Sequence, residues 1–232
     1  METNLNKIKE MAKLFLRLPI QTDERIPPMI CVYHPFLQSS ITYVDNQLVN
    51  LLEDAQTMNA YIEYMDEQID GGDLTKIYML IRTPYKLTFL KHCYEYLSEK
   101  DLAEYFADAW VLTENPNQDV NCPIPYLVKM FKKCNKQYLM VKEDYEIYQA
   151  LPETFTIYRG VAVGRNPKGL SWTRNLETAK WFAHRFDNKD EQGYIQVGTA
   201  KKENVLAYFN TRNEDEIVYD SKNLQISILE EE

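Results

Sequence analysis

The chain is poor in the residues that build metal centres, with 3 histidines and 4 cysteines among 232 residues. Cys31, Cys93, Cys122 and Cys134 form no C-x-x-C pair. Cys31-x-x-His34 is a lone half-motif, and His92-Cys93 is a bare adjacency without zinc-ligand spacing. These positions predict reduced thiols in or near a core and no metal. No apolar run reaches membrane-spanning length. The longest early one, Leu14-Phe15-Leu16, is too short for a secretory core segment, so a cytoplasmic protein without a membrane partner is expected. An excess of positive charge is missing too. Residues 1–150 carry 15 Lys and Arg against 22 Asp and Glu, net −7; residues 151–232 carry 11 against 13, net −2. Sequence-independent binding to a duplex needs clustered cations, so nucleic acid is a poor candidate partner. The second part is the less repulsive to an anionic ligand. Internal repeats and low-complexity segments are absent as well.

What is present is a globular composition, 45% hydrophobic and 26% charged, long enough for one large domain or two small ones. Apolar residues from Leu5 to Leu18 recur at helical spacing, as in a helix docked on its own protein or lying on a surface. Met29–Tyr33 reads as a short strand after Pro27-Pro28. A long helix is predicted from Asn46 to Ile69, on the stripe Leu48, Leu51, Leu52, Ala55, Met58, Ile62, Met65 and Ile69. Asp66, Asp70 and Asp73 flank Gly71-Gly72, but their spacing is not that of an EF-hand loop; a solvated turn is expected. Periodicity leaves Ile77–Ile81 open between helix and strand. Helices follow through Leu87–Leu97, after Ser98-x-x-Asp101 with Leu102, Phe106 and Trp110 on one face, after Pro123 and Pro125, and over 142–150. A polar loop is expected at 114–119. Beyond Pro152 the pattern turns to strands at 154–158, 170–173, 194–199, 205–209, 216–219 and 224–229, with one helix capped by Asn175. Helices first and strands later give an α+β class with an antiparallel-leaning sheet.

Three clusters in the second part carry chemistry. Tyr158-Arg159-Gly160 puts a guanidinium, suited to a bidentate grip on phosphate or carboxylate, beside a residue that allows close approach. In Ser171-Trp172-Thr173 the two hydroxyls share one face of a strand and the indole takes the other. In Glu214-Asp215-Glu216 two carboxylates share a face if the strand has begun by Glu214. Each alone has a plain explanation: a surface ion pair, a β-forming run with a core tryptophan, an acidic turn. Only Glu216 resists, because charge directly abuts the apolar Ile217-Val218 and burying it is costly.

In their order and spacing the three clusters resemble the arginine–serine–glutamate branch of the ADP-ribosyltransferase superfamily, in its phage and bacterial members. The resemblance covers about residues 152–230. It implies a core of two packed, mainly antiparallel sheets spanning 73–232, preceded by a helical segment, 1–72, of unassigned role. It further implies NAD as co-substrate, no metal, and a protein acceptor, with arginine favoured by the glutamate pair. An effector acting on host proteins, placed in the host cytoplasm if phage-encoded, is the expectation that follows. By the same resemblance Glu216 is the catalytic carboxylate, Glu214 orients or deprotonates the acceptor, and Arg159, Gly160, Ser171, Trp172 and Thr173 serve the cofactor. Phe186 is the nearest candidate to pack on nicotinamide, beneath a loop at 187–193. Tyr208, Phe209 and Arg212 fall in the stretch that reads the acceptor, and Arg185 is a secondary candidate for the phosphates. Two other functions fit the same residues: an NAD glycohydrolase, with water as acceptor, and a non-catalytic binding protein on the same fold.

Overall fold

The computed structural model describes residues 1–44, 46–53, 55–116 and 119–230. The chain is α+β and divides into two compact units, Met1–Leu102 and Ala103–Glu232. The division lies inside a helix, not at residue 72. Asn117 and Gln118 of the expected polar loop lie outside the described residues, as does Asp54 of the expected long helix.

The first unit is mainly helical. Helix α1 (Leu5–Leu16) is capped by the Asn4 side chain and buries Ile8, Ala12, Phe15 and Leu16. It packs on α2 (Ala55–Asp70), α3 (Leu74–Leu80) and α4 (Thr83–Cys93), so it is a helix docked on its own unit. The aspartates near Gly71-Gly72 are already engaged. Lys13 pairs with Asp70 at 2.7 Å, Arg17 holds Asp66, and the Asp73 side chain caps α3 by accepting from the Lys76 amide at 2.8 Å.

Two expectations fail in this unit. The predicted helix from Asn46 begins only at Ala55, because 41–50 is a hairpin of β1 (Ile41–Val44) and β2 (Gln47–Asn50). Asn46, at φ 62°, occupies the left-handed region that asparagine tolerates, and the chain reverses there. Leu48, placed on the helical stripe by its spacing, is 62% exposed. The strand expected at 29–33 is a turn. The amides of Ile30 and Cys31 both donate to the Pro27 carbonyl, and only Tyr33 bridges to Gln21.

Helix α5 (Glu99–Leu112) spans the division. It starts at the predicted capping box, where the Ser98 hydroxyl accepts from the Asp101 amide at 3.0 Å. The second unit continues with α6 (Ile124–Lys133), the short α7 (Lys136–Leu139), which periodicity did not reveal, and α8 (Lys142–Ala150). Then come β3 (Thr154–Val161), β4 (Ser171–Thr173), α9 (Leu176–His184), β5 (Tyr194–Lys201), β6 (Val205–Phe209), β7 (Glu216–Tyr219) and β8 (Ile226–Leu229). The expected pair of packed sheets is one hydrogen-bonded, fully antiparallel sheet in the order β6-β7-β4-β3-β5-β8. It narrows at the β3–β4 junction, joined by the single pair Tyr158↔Thr173. The other sheet among the described residues is the β1–β2 hairpin of the first unit.

Helix α9 packs across β3 and β5, with Ala179 and Ala183 buried against Ile195. Glycine makes this approach possible. A Cβ on Gly160 would lie 2.2 Å from the Ala179 carbonyl oxygen and 2.5 Å from the Ala183 amide nitrogen. Gly160 thus answers to helix packing, whatever else it borders. Gly160→Ala is expected to destabilise the protein by about 2–4 kcal/mol, since backbone rather than a flexible side chain must move. Urea unfolding measures the loss, and an unchanged midpoint would contradict this packing.

Candidate functional site

One cleft in the second unit gathers the sequence-predicted residues. Arg159, Gly160, Ser171, Trp172, Thr173, Arg212, Glu214 and Glu216 all line it, although they come from β3, β4, β7 and the loop before β7. It is a cleft of about 120 Å³ that opens to solvent.

Arg159 is clamped by main chain. Its Nη1 donates to the Ser171 carbonyl at 2.6 Å and its Nη2 to the Asn166 carbonyl at 3.0 Å. Gly169 lies against the guanidinium: a Cβ there would fall 2.1 Å from Nη2. Part of the residue is reached from the cleft, but the guanidinium is deep. Burial pushes its pKa down to about 10, with the charge of Glu216 acting in the opposite direction. The buried Nε has no hydrogen-bond partner among the described residues. Arg159 therefore organises the 166–171 segment and still carries unspent donor capacity.

Glu216 opens β7, where it pairs with Thr173 on one side and Phe209 on the other. Burial holds its carboxyl above the ordinary carboxylate range. Two hydrogen bonds oppose that shift, from the Ser171 hydroxyl and from Trp110. Trp110 Nε1 donates to Oε1 at 3.1 Å. Sequence periodicity put Trp110 on the apolar face of its helix; its polar end is aimed at the one carboxylate the sequence could not explain.

Glu214 reaches the cleft by another route than strand alternation, because β7 begins only at Glu216. Asn213 and Asp215 sit at φ 56° and 48°, a region asparagine and aspartate visit more readily than other side chains. The kinked backbone sends Asp215 away to Arg174, which grips it through Nε at 3.0 Å and Nη2 at 2.6 Å. Glu214 and Glu216 both remain on the cleft. The loop is tied down at several points. Asp144 accepts from the Asn210 amide at 3.1 Å, the Asn210 side chain accepts from the Asp215 amide at 3.0 Å, and the Thr173 hydroxyl donates to the Glu214 carbonyl at 2.9 Å.

Three assignments need correction. Tyr208 and Phe209 are 2% and 5% exposed. Tyr208 donates its hydroxyl to Asp215 at 2.7 Å and supports the loop from within, and neither buried ring presents a face to an acceptor. Phe186 is 45% exposed and is absent from the described lining of the cleft; Phe182 of α9 takes that place. The loop 187–193 contributes no described lining residue. It closes on itself, with Asp187 accepting from the Gly193 amide at 2.7 Å. Arg212 does line the cleft, paired loosely with Glu214 at 3.5 Å.

Arg165 and Arg185 are cleft residues too. Their guanidinium carbons stand 5.2 and 4.8 Å from the Phe186 ring, and Arg185 also faces Trp181 and Phe182. Burial lowers the Arg185 pKa, and the neighbouring Arg165 charge adds to the effect. Arg165 has only a long pairing to Glu114, 3.6 Å; Arg185 Nε is buried without a partner among the described residues. Four guanidinium groups on one concave surface, two of them crowding each other, suit an anion with more than one charged group. Among the described residues no group of three or more His, Cys, Asp or Glu side chains is arranged to hold a metal ion, and no helix is long and apolar enough to cross a membrane. No family model, curated protein or solved structure matches the chain.

A carboxylate whose folded-state pKa is raised weakens the fold as pH rises from its unfolded value through its folded one. Glu216→Gln removes that penalty while keeping an oxygen to accept from Ser171 and Trp110. The variant is expected to melt above the wild type at neutral pH, with the gap closing as pH falls toward the ordinary carboxylate value. Thermal unfolding across pH 4–8 measures it; a variant less stable at every pH would contradict the desolvated carboxylate.

Proposed function

We propose that the protein is a mono-ADP-ribosyltransferase, which cleaves NAD and passes ADP-ribose to a protein side chain, arginine being the favoured acceptor. The observation that carries this reading is the meeting of Arg159, Ser171, Glu214 and Glu216 in one cleft, with Glu216 half-buried and doubly hydrogen-bonded. The residues present fit the dinucleotide. Arg165, Arg185 and the spare donors of Arg159 suit its two phosphates.

The chemistry asks for little acid catalysis. Nicotinamide is cationic while bonded to ribose; it leaves neutral when the bond from its ring nitrogen to C1′ breaks and keeps the electron pair. The ribose is left electron-poor at C1′. An ionised Glu216 offsets that developing charge and accepts from the 2′-hydroxyl. Ser171 and Trp110 hold the carboxylate ready. The acceptor nitrogen bonds C1′ and sheds a proton, which Glu214 takes up or directs. Arg212 nearby pairs with the ionised Glu214 before that step. An effector role against host proteins, of phage or bacterial kind, accords with this activity.

Incubation with NAD labelled in the adenylate part and a bacterial lysate tests the reading. The wild type should label protein and release nicotinamide, and Glu216→Ala should lower both by about 100-fold or more, the scale for removing a group that stabilises transition-state charge. Glu214→Ala should lose label on protein while still releasing nicotinamide. Release without any labelled protein from the wild type would identify a glycohydrolase instead, and neither signal would leave a binding protein.

A further inference from the structure

Trp110 stands out among the groups that the sequence motifs leave unassigned. It lies outside all three clusters, on α5, and is 1% exposed. Its ring meets Phe131 of α6 edge-on at 4.9 Å and 81°, and Phe131 meets Phe106 of α5 in the same manner at 4.8 Å. Three buried rings from two helices therefore fix the indole plane. The one polar atom of that indole points at Glu216 Oε1.

We infer that Trp110 is a positioning residue that fixes the orientation of the Glu216 carboxylate by holding its Oε1. The inference rests on Glu216 being the catalytic carboxylate. Its physical basis is the asymmetry of the two donors. A serine hydroxyl donates or accepts, so Ser171 tolerates a protonated as well as an ionised carboxyl. An indole N–H only donates. A proton on the carboxyl weakens Oε1 as the acceptor of that buried N–H, so the bond favours the ionised form. Burial drives Glu216 toward the neutral form, and the charge-assisted bond from Trp110 opposes it. The aromatic stack gives this bond its direction, since the buried Trp110 ring is held edge-on by Phe131.

Two measurements on the isolated protein address the arrangement without relying on turnover. In the wild type, the Trp110 indole 15N–1H resonance should titrate with the same midpoint as the Glu216 side-chain carboxyl 13C resonance. In Trp110→Phe, which keeps an aromatic ring against Phe131 and loses only the donor, the Glu216 midpoint should move to higher pH. With NAD, the same variant should lose roughly tenfold in kcat at neutral pH with KM little altered, the loss expected for one charge-assisted hydrogen bond. The acidic limb of its rate profile should shift up together with the carboxyl midpoint. An indole resonance blind to Glu216 ionisation, or a variant of lowered melting temperature with an unmoved Glu216 midpoint, would overturn the inference and leave Trp110 a core residue. The wild-type indole titration decides the matter even if Trp110→Phe fails to fold. Coupled titrations in a protein that releases no nicotinamide would instead sustain Trp110 and sink the proposed enzyme.

Discussion

The cleft of the second unit is arranged around a carboxylate in a place that resists charge. Glu216 sits where β7 enters the sheet, followed at once by the buried Ile217 and Val218. A carboxyl there is stable only if donors meet it. The donors come from two directions: Ser171 from the neighbouring strand and Trp110 from a helix far away in sequence. Opposite charge lies across the cleft at Arg159, itself desolvated and held by carbonyls. Desolvation strengthens each electrostatic contact and raises the penalty for leaving any of them unmade. The clamp on 166–171, the tether at 210–215 and the aromatic stack behind Trp110 each serve to keep those contacts in register.

The loop before β7 illustrates how local chemistry produces this register. Two acidic residues flanking a third would ordinarily repel and splay. Here Asp215 is turned out by left-handed backbone at Asn213 and at itself, and Arg174 and Tyr208 hold it there. The charge that would have crowded the cleft is neutralised on its far side. Glu214 and Glu216 then face the cleft as a pair, with Arg212 between solvent and site.

How far this could be read from the residues varies with the kind of signal. Strands 154–161, 171–173, 205–209 and 216–219 announced themselves through β-branched and aromatic runs bounded by polar turns, and Asn175 and Ser98 marked helix starts through capping chemistry. The hairpin at 41–50 did not, because Leu48, Leu51 and Leu52 extend the helical stripe of α2 and periodicity alone cannot see the Asn46 reversal. The three clusters located the cleft because ordered motifs report on strands that are neighbours in the sheet. Burial of Tyr208 and Phe209 was invisible, since an aromatic pair reads alike whether it faces a partner or a core. Trp110 was missed for a related reason: helical spacing describes where a ring goes and says nothing of where its single N–H points. Arg165 and Arg185 become a pair only through the fold, with 166–184 returning the chain to the same ring.

On the proposed activity Arg159, Ser171 and Glu216 form the floor of a single dinucleotide site, with Arg165 and Arg185 at its cationic end. A crystal structure with an NAD analogue whose nicotinamide–ribose bond cannot break tests this most directly. The account predicts the ribose C1′ and 2′-hydroxyl against Glu216, the diphosphate against Arg165 and Arg185, and Trp110 Nε1 still on Oε1. An analogue bound elsewhere on the protein, or one bound in this cleft with its phosphates turned to Glu216, would contradict it.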